Sequence, residues 1–119
     1  DVGIIGVDSG WEMVIAGNGG IKTEVAQFFV KLKTAEEVME YTGAFMQLYR
    51  EEGWYLERTV HYVARVGLDH VKKKILDDHE GRQALWARLQ WALEGEPDPW
   101  FEFDKARVDQ RQFIPITVA

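Results

Sequence analysis

The first 16 residues contain two apolar, β-rich runs separated by a short polar turn. Residues 2–7 (VGIIGV) and 11–16 (WEMVIA) are rich in β-branched and aromatic side chains, and residues 8–10 (DSG) have the polar–polar–glycine form of a three-residue hairpin loop. The pattern predicts a β-hairpin. Both runs are apolar almost throughout, which is typical of strands covered on both faces, and a two-stranded ribbon needs further strands to be stable.

A helix is predicted after a glycine-rich turn. The run EVAQFFVKL (24–32) is ambiguous, and we expect a helical turn in its first half and an extended FFVKL. Thr34 and Glu37 match a capping box, in which each side chain binds a free backbone N–H at the start of a helix. An apolar stripe follows at helical spacing, formed by Val38, Tyr41, Phe45, Leu48 and Tyr49. We expect this helix to end near residue 52, before Gly53.

Three more helical segments and a tail complete the pattern. The segments are residues 54–66, 68–78 and 81–95. The chain beyond them holds two of its three prolines near the start and is predicted to be irregular, and residues 113–119 are β-like although Pro115 suits only an edge strand. The predicted fold class is therefore α+β, with an N-terminal β-hairpin followed by about four helices and an irregular tail.

Composition indicates an ordinary globular domain. The chain has 119 residues, 46% hydrophobic content, five tryptophans, four tyrosines and six phenylalanines, which suffices for one modest core. A net charge of −6 argues against nucleic acid or an anionic membrane as partner. No run approaches the ~20 apolar residues of a membrane span and no signal peptide is evident, so we expect a cytoplasmic protein. With no cysteine, the chain contains no disulfide, thiolate metal site or cysteine nucleophile.

The stretch MVIAGNGGIKTEV (13–25) is the main candidate site. A nucleotide phosphate loop requires G-x-x-x-x-G-K-S/T, but here one residue separates Gly20 from Lys22 and no glycine stands five places earlier. The dinucleotide fingerprint also fails, because a lysine falls three places after Gly19. Gly17, Gly19 and Gly20 still allow close approach of a ligand to outward-facing amides, and Lys22 adds positive charge. A plain structural turn and an anion or cofactor cradle both stay open.

Other polar clusters are typical of solvated surface. Residues 77–80 (DDHE) are interpreted as one helix end meeting the next helix rather than a metal site. The carboxylates within 50–59 (REEGWYLERT) each have an arginine within helical reach, which favours surface ion pairs over acid/base catalysis. An aromatic series predicts core or interface packing rather than a cofactor site: Tyr41, Phe45, Tyr49, Trp54, Tyr55 and Tyr62.

Four stretches of the chain together resemble one known family. They are DVGIIGVDSGWEMVIAGNGGIK at the start, AFMQLYREEGWYLERTVHYVARVGLDHVKKKILDD in the middle, PW at 99–100 and IPITVA at the end. This succession resembles the C-terminal end of the assimilatory-type NAD(P)H nitrite reductase large subunit. The hairpin with GNGG-x-K is the most specific part of the resemblance, which covers nearly the whole chain.

The resemblance implies a fragment of an oxidoreductase of nitrate assimilation. The family reduces nitrite to ammonium at sirohaem and a 4Fe-4S cluster, with electrons from NAD(P)H through FAD. Its cluster cysteines and its nitrite-binding residues would lie upstream of residue 1, so the isolated chain is expected to be inactive and to bind no cofactor. The implied partners are the remainder of the large subunit and the small subunit. The cut edge of the sheet predicts an apolar patch, and hence self-association of the isolated chain or a poorly ordered hairpin.

The resemblance also implies which residues form the site. Gly17, Asn18, Gly19 and Gly20 match the family's glycine-rich turn beside sirohaem and cluster, and Lys22 follows in the matching place. Close-approaching amides and a lysine suit the carboxylate rim of sirohaem, while Asn18 could donate its side-chain amide to a carboxylate or a cluster sulfur. No catalytic or metal-binding residue is expected in the chain itself.

A domain division follows from the resemblance, and two other readings stay open. Residues 1–50 would be the C-terminal part of the sirohaem and 4Fe-4S domain shared with sulfite reductases, 51–96 a helical extension, and 97–119 a C-terminal tail. One alternative is a stand-alone helical module whose aromatic stripe binds a protein. The other is a small anion-binding module built on residues 16–23.

Overall fold

The computed structural model describes residues 1–100, which begin with a small antiparallel sheet. Its strands are β1 (Gly3–Val7), β2 (Gly10–Ile15) and β3 (Gln27–Leu32), in the order β1-β2-β3. The predicted hairpin is confirmed, and β3 is the further strand that its apolar runs required. The extended FFVKL is confirmed as well. The helical turn expected before it is wrong, because Glu24 pairs with Asn18 and the chain enters β3 directly.

The hairpin loop is shorter than its sequence predicted. Val7 pairs with Gly10, so only Asp8 and Ser9 lie outside the strands instead of three residues. Gly10 has a φ of +132°, which L side chains rarely adopt, and a Cβ at this position would overlap the carbonyl of Leu32. Glycine therefore lets β2 begin in close contact with β3.

Within residues 1–100, four helices follow the sheet. They are α1 (Ala35–Glu52), α2 (Thr59–Val66), α3 (Leu68–Lys72, which continues as a π-helical segment, Lys73–Asp77) and α4 (His79–Glu94). The predicted capping box is confirmed, because the Glu37 N–H donates to Thr34 Oγ1 at 3.1 Å and the Thr34 N–H donates to Glu37 Oε2 at 3.3 Å. The end of α1 is also where the pattern placed it.

Two predicted helix starts differ from the structure. The helix expected from residue 54 begins at Thr59, because the Glu57 carboxylate accepts the Trp54 N–H at 3.0 Å and holds a non-helical turn. The last helix begins two residues early, because the Asp78 carboxylate accepts the Gly81 N–H at 2.8 Å and caps it. The predicted β-like residues 113–119 lie outside the described part of the chain.

The core lies between one face of the sheet and the helices. Its larger members are Met13, Ile15, Phe29, Leu32, Phe45, Leu48, Tyr62, Val63, Val71, Ile75 and Leu85. Each such side chain contributes about 1.5–3 kcal/mol when fully buried. Helix α1 packs closely on α4 because Gly43 leaves room for the ring of Trp86, where any Cβ would overlap the indole.

The opposite side of the sheet, here called the outer face, is uncovered within residues 1–100. Cross-strand partners place Ile5, Val14 and Phe28 on this face, since side chains alternate along each strand and paired residues share a side. Ile5 is 50% exposed and Phe28 53%. The predicted exposure of apolar side chains on this sheet is confirmed. The predicted self-association of the isolated chain stays a prediction. No helix of the described residues is long and apolar enough to cross a bilayer.

Candidate functional site

The predicted glycine turn leaves the core directly after β2. Ile15 is fully buried, and Ala16 is 2% exposed with a φ of +63°. This left-handed conformation costs an alanine about 1–2 kcal/mol. The bend redirects the chain, so that the residues after Gly17 point away from the core.

A pair of backbone hydrogen bonds closes the turn at its base. The Asn18 N–H donates to the Glu24 carbonyl at 3.0 Å, and the Glu24 N–H donates to the Asn18 carbonyl at 2.9 Å. Inside this ring the Asn18 side-chain amide donates to the Lys22 carbonyl at 2.8 Å. The amide N–H groups of residues 19–23 have no hydrogen-bond acceptor within residues 1–100. The turn therefore has a fixed base and a row of free donors at its tip.

The glycines of the turn serve different purposes. A Cβ on Gly17 would lie 3.0 Å from the Ala26 Cβ, so this glycine permits close packing inside the protein. A Cβ on Gly19 would meet nothing within 4 Å, and one on Gly20 would lie 3.4 Å from the Asn18 amide nitrogen. Open space therefore begins at Gly19, where a ligand could approach the backbone.

The Lys22 ammonium group forms only a weak ion pair. Its side chain is 85% exposed, and its Nζ lies 3.1 Å from Glu24 Oε1. An exposed pair of this kind contributes at most about 1 kcal/mol, so a carboxylate ligand could replace Glu24 at small cost. Free amides and an available ammonium together can bind an anion. Asn18 has one amide hydrogen engaged within the turn, and its predicted contact with a cofactor stays a prediction.

Asp1 joins the turn to the start of α2. Its backbone nitrogen donates to the Gly17 carbonyl at 2.6 Å, and its carboxylate accepts the Thr59 hydroxyl at 3.5 Å. Arg58 lies 3.9 Å from the same carboxylate. No local sequence pattern indicates these contacts, because they join positions 16 and 58 residues apart.

The DDHE cluster is a helix end, as predicted. Asp78 caps α4, and His79 Nδ1 contacts the Arg82 guanidinium. Across residues 1–100 no group of three or more carboxylate, imidazole or thiol side chains is arranged to hold a metal ion. Because the sequence contains no cysteine, it provides no thiolate ligand for an iron–sulfur cluster.

The carboxylates of residues 50–59 form ion pairs, as predicted, but with partners from other helices. Arg88 binds Glu51 at 2.6 and 3.0 Å, and Arg65 binds Glu57 at 2.7 Å through each of two nitrogens. The hydrogen bond from Arg88 lowers the pKa of Glu51. The neighbouring arginines have other partners: Arg50, on α1 itself, donates to the Gln47 side chain, and Arg58, in the non-helical turn after α1, lies near Asp1.

Glu52 occupies a different environment. Its Oε2 accepts the Tyr62 hydroxyl at 2.7 Å and lies 2.8 Å from His70 Nε2. Burial, and secondly the hydrogen bond to Glu52, raise the pKa of Tyr62 far above its ordinary value. This phenol therefore stays protonated and acts as a structural donor that links α1 to α2.

The aromatic series divides between core and surface. Phe45 and Tyr62 are buried, and Tyr41 and Tyr49 pack against the core at its edge. These four confirm the packing prediction. Trp54 and Tyr55 are 67% and 93% exposed, so they belong to the surface of the described part.

Comparison with known proteins connects this arrangement to one family. The sequence profile described as "Nitrite and sulphite reductase 4Fe-4S domain" matches residues 1–83. The matched residues contain the whole sheet, the glycine turn and the first three helices.

Individual relatives agree with the profile. The chain is 47% identical over 103 residues to a protein of Bacillus subtilis (strain 168) named NAD(P)H nitrite reductase, covering 87% of this chain and 13% of that one. It is 34% identical over 86 residues to the NADH nitrite reductase large subunit of Escherichia coli (strain K12), covering 71% and 10%. It is 24% identical over 76 residues to an assimilatory-type sulfite reductase of Nitratidesulfovibrio vulgaris, covering 64% and 35%.

The chain thus spans about an eighth of the length of the Bacillus relative and a tenth of the Escherichia one. No solved structure matches it significantly.

Proposed function

Because this chain belongs to the nitrite and sulphite reductase 4Fe-4S domain family, we propose that it is part of an NAD(P)H-dependent nitrite reductase large subunit that reduces nitrite to ammonium. The observation that carries this proposal beyond the family is the glycine turn, whose base is closed by Asn18 and Glu24 and whose tip offers free amides and Lys22. The 47% identity to the Bacillus protein supports nitrite as the substrate of the whole enzyme.

The turn fits the rim of sirohaem. When bound, this cofactor supplies the iron at which nitrite is reduced, and its periphery carries carboxylates. Lys22 would hold one of these carboxylates in exchange for Glu24, and the N–H groups of residues 19–23 would donate to others. Asn18 would keep the turn in shape through its bond to the Lys22 carbonyl. The role of the chain is thus to bind and orient the cofactor.

The 4Fe-4S cluster requires ligands from outside these residues. Cluster irons are held by cysteine thiolates, and the chain has no cysteine. We therefore expect the rest of the large subunit to supply the thiolates, FAD and the NAD(P)H site, and we expect the isolated 119 residues to be inactive. Within this proposal, residues 1–50 belong to the sirohaem and cluster domain, 51–96 form a helical extension and 97–119 a tail.

The proposed partners follow from the same assignment. The remainder of the large subunit would cover the outer face of the sheet, where Ile5 and Phe28 are half exposed. The small subunit would complete the cytoplasmic enzyme. Without these partners, the outer face is expected to drive self-association of the isolated chain, which analytical ultracentrifugation would measure.

Substitutions in the full-length large subunit test the proposal. Lys22→Ala and Asn18→Ala are expected to lower sirohaem content, read from the visible absorption spectrum, or nitrite turnover by roughly tenfold, since each removes or misplaces a charge-assisted contact of about 1.5 kcal/mol. Lys73→Ala is the matched control, because this lysine is exposed on the π-helical segment. Normal cofactor content and normal turnover in both turn variants would contradict the cradle assignment.

A small anion-binding module is the competing reading of the same free amides. It predicts that the 119-residue chain binds inorganic phosphate or a nucleotide by calorimetry, and that Lys22→Ala abolishes this binding. A nitrite reductase fragment gives no such signal.

A further inference from the structure

Three consecutive large side chains are exposed between α1 and α2. Trp54 is 67% exposed, Tyr55 93% and Leu56 83%. They occupy the segment that we call the aromatic loop, residues 53–58, and most of their surface is uncovered within residues 1–100. Trp and Tyr are enriched among the residues that dominate protein interfaces. Three consecutive large apolar side chains that are all exposed are unusual on a surface that contacts only water.

The aromatic loop is rigidly built. The Glu57 carboxylate accepts the Trp54 N–H at 3.0 Å, and the Glu57 N–H donates to the Trp54 carbonyl at 3.0 Å. Arg65 holds the same carboxylate at 2.7 Å and places its guanidinium carbon 4.0 Å from the centre of the Trp54 ring. The Tyr49 hydroxyl donates to the Glu57 carbonyl. These bonds fix the loop before any partner binds, which lowers the entropy lost on binding.

Backbone strain at the tip is a second feature of the loop. Leu56 has a φ of +61°, in the left-handed region that a leucine rarely adopts. Its side chain is almost fully exposed, so no packing within the described residues compensates for this conformation. Strain of this kind is commonly kept where it presents a side chain to a ligand or partner.

The position and charge of the loop indicate what covers it. Asp1 contacts Thr59 and Arg58 directly after the loop, and also the Gly17 carbonyl, so the loop shares one end of the molecule with the glycine turn. The proposed function places the rest of the large subunit at that turn. Arg58 has a 67% exposed side chain whose carboxylate neighbour is 3.9 Å away, which leaves a cation free to meet an acidic rim.

We propose that the aromatic loop docks the rest of the large-subunit polypeptide, which receives Trp54, Tyr55 and Leu56 in an apolar pocket with carboxylates at its rim. This inference rests on the proposed function. About seven-eighths of the length of the Bacillus relative lies outside the matched region, so the occupant is amply long. Being covalently attached, it is present at a high effective concentration that a separate protein would not have.

Hydroxyl-radical footprinting of the purified full-length large subunit tests the proposal. The reactivity of Tyr55 in the native protein is divided by that in the urea-unfolded protein, with the buried Tyr62 as reference of the same residue type. We expect Tyr55 and Leu56 to be protected severalfold, to about the level of Tyr62. Equal reactivity of Tyr55 in the native and the unfolded protein, as the exposure of the loop in residues 1–100 predicts, would overturn the proposal.

Variants identify the contact. Tyr55→Asp is expected to raise the reactivity of Trp54 and Leu56 severalfold in the full-length protein, because it places a charge in the apolar pocket. Arg58→Glu is expected to do the same by repelling the acidic rim. Trp91→Asp is the matched control, since it changes an exposed aromatic residue on α4. An equal effect of Trp91→Asp and Tyr55→Asp would argue against a specific pocket.

The conditions under which the aromatic loop is protected identify the polypeptide that covers it. Protection that is independent of protein concentration and present in the large subunit alone supports the proposal. Protection that appears only at high concentration indicates a second copy, and protection that appears only on adding the small subunit indicates that subunit; either result overturns it. Nitrite turnover is measured on the same samples after the small subunit is added. An active enzyme with a reactive loop refutes docking alone, and an inactive enzyme with a protected loop refutes the proposed function alone.

Discussion

Arg65 holds the carboxylate of Glu57 with two hydrogen bonds of 2.7 Å, one from Nε and one from Nη2. The same carboxylate accepts the Trp54 N–H. These bonds, with Arg65 as the main cause, lower the pKa of Glu57 to about 2. Glu57 is therefore ionised at every ordinary pH, and it organises the loop between α1 and α2.

The first prediction concerns acid stability. A carboxyl group with a depressed pKa in the folded state contributes stability that is complete above its unfolded pKa of about 4.3 and is lost as the pH falls towards about 2. The free energy of unfolding, measured with urea at about pH 7 and about pH 3, should therefore fall more in the wild type than in Glu57→Gln. Glu36→Gln, an exposed change in the first turn of α1, is the control. An equal fall in wild type and Glu57→Gln would show that the Arg65 pair adds no pH-dependent stability.

The starts of α1 and α2 differ in how well the sequence predicts them. The start of α1 is encoded within four residues, because Thr34 and Glu37 cap each other. The start of α2 depends on contacts of Glu57 with Arg65, eight residues ahead, and with Tyr49, eight behind. Helical periodicity alone continued through residues 54–58, since nothing local in the sequence signals these bonds.

The candidate site shows a similar division. The glycines and Lys22 were visible as a pattern, because their spacing could be tested against known loops. The closing bonds between Asn18 and Glu24 could not be predicted, since the segment after the turn was expected to be helical. The contact of Asp1 with Gly17 joins distant positions and becomes visible only in three dimensions.

A second prediction tests the packing of α1 on α4. Gly43→Ala adds a Cβ that overlaps the Trp86 ring, so it should destabilise the chain by about 1–3 kcal/mol, although alanine favours helix by about 1 kcal/mol. Gly6→Ala is the control, because its Cβ meets nothing within 4 Å. Urea unfolding measures both.

The cause of the Gly43 effect can be verified separately. If the clash is with the indole, the double variant Gly43→Ala with Trp86→Leu should lose less stability than the sum of the two single changes. Additive losses would mean that Gly43 matters for another reason.

A third prediction compares a buried and an exposed arginine on α4. Arg82 is 5% exposed and donates to Glu40 Oε1 at 2.7 Å and to the Ile75 carbonyl at 2.8 Å, with its guanidinium over Tyr41. Arg82→Met should cost about 2–3 kcal/mol, because it leaves a partly buried carboxylate and a carbonyl without their donor.

Arg88→Met provides the matched comparison. The Arg88–Glu51 pair is as short, at 2.6 Å, but its side chains are 51% and 37% exposed. Its loss should cost less than about 1 kcal/mol, since water replaces the contact. Equal costs for the two arginines, measured by urea unfolding, would show that burial does not decide the strength of these pairs.

The last prediction concerns the strained tip of the aromatic loop. Leu56 adopts a φ of +61° and is 83% exposed, so Leu56→Asn relieves strain with little loss of packing. Asparagine tolerates this conformation, and we expect the isolated 119-residue chain to become more stable by about 0.5–1 kcal/mol. Tyr55→Asn, at a neighbour without positive φ, should change stability by less than about 0.5 kcal/mol. A destabilising effect of Leu56→Asn in the isolated chain would show that the side chain contributes packing there and that the strain is not stored at this residue. If the loop docks as proposed, the same substitution should expose Tyr55 in the full-length subunit, because the strain is kept for a contact that only the longer protein makes.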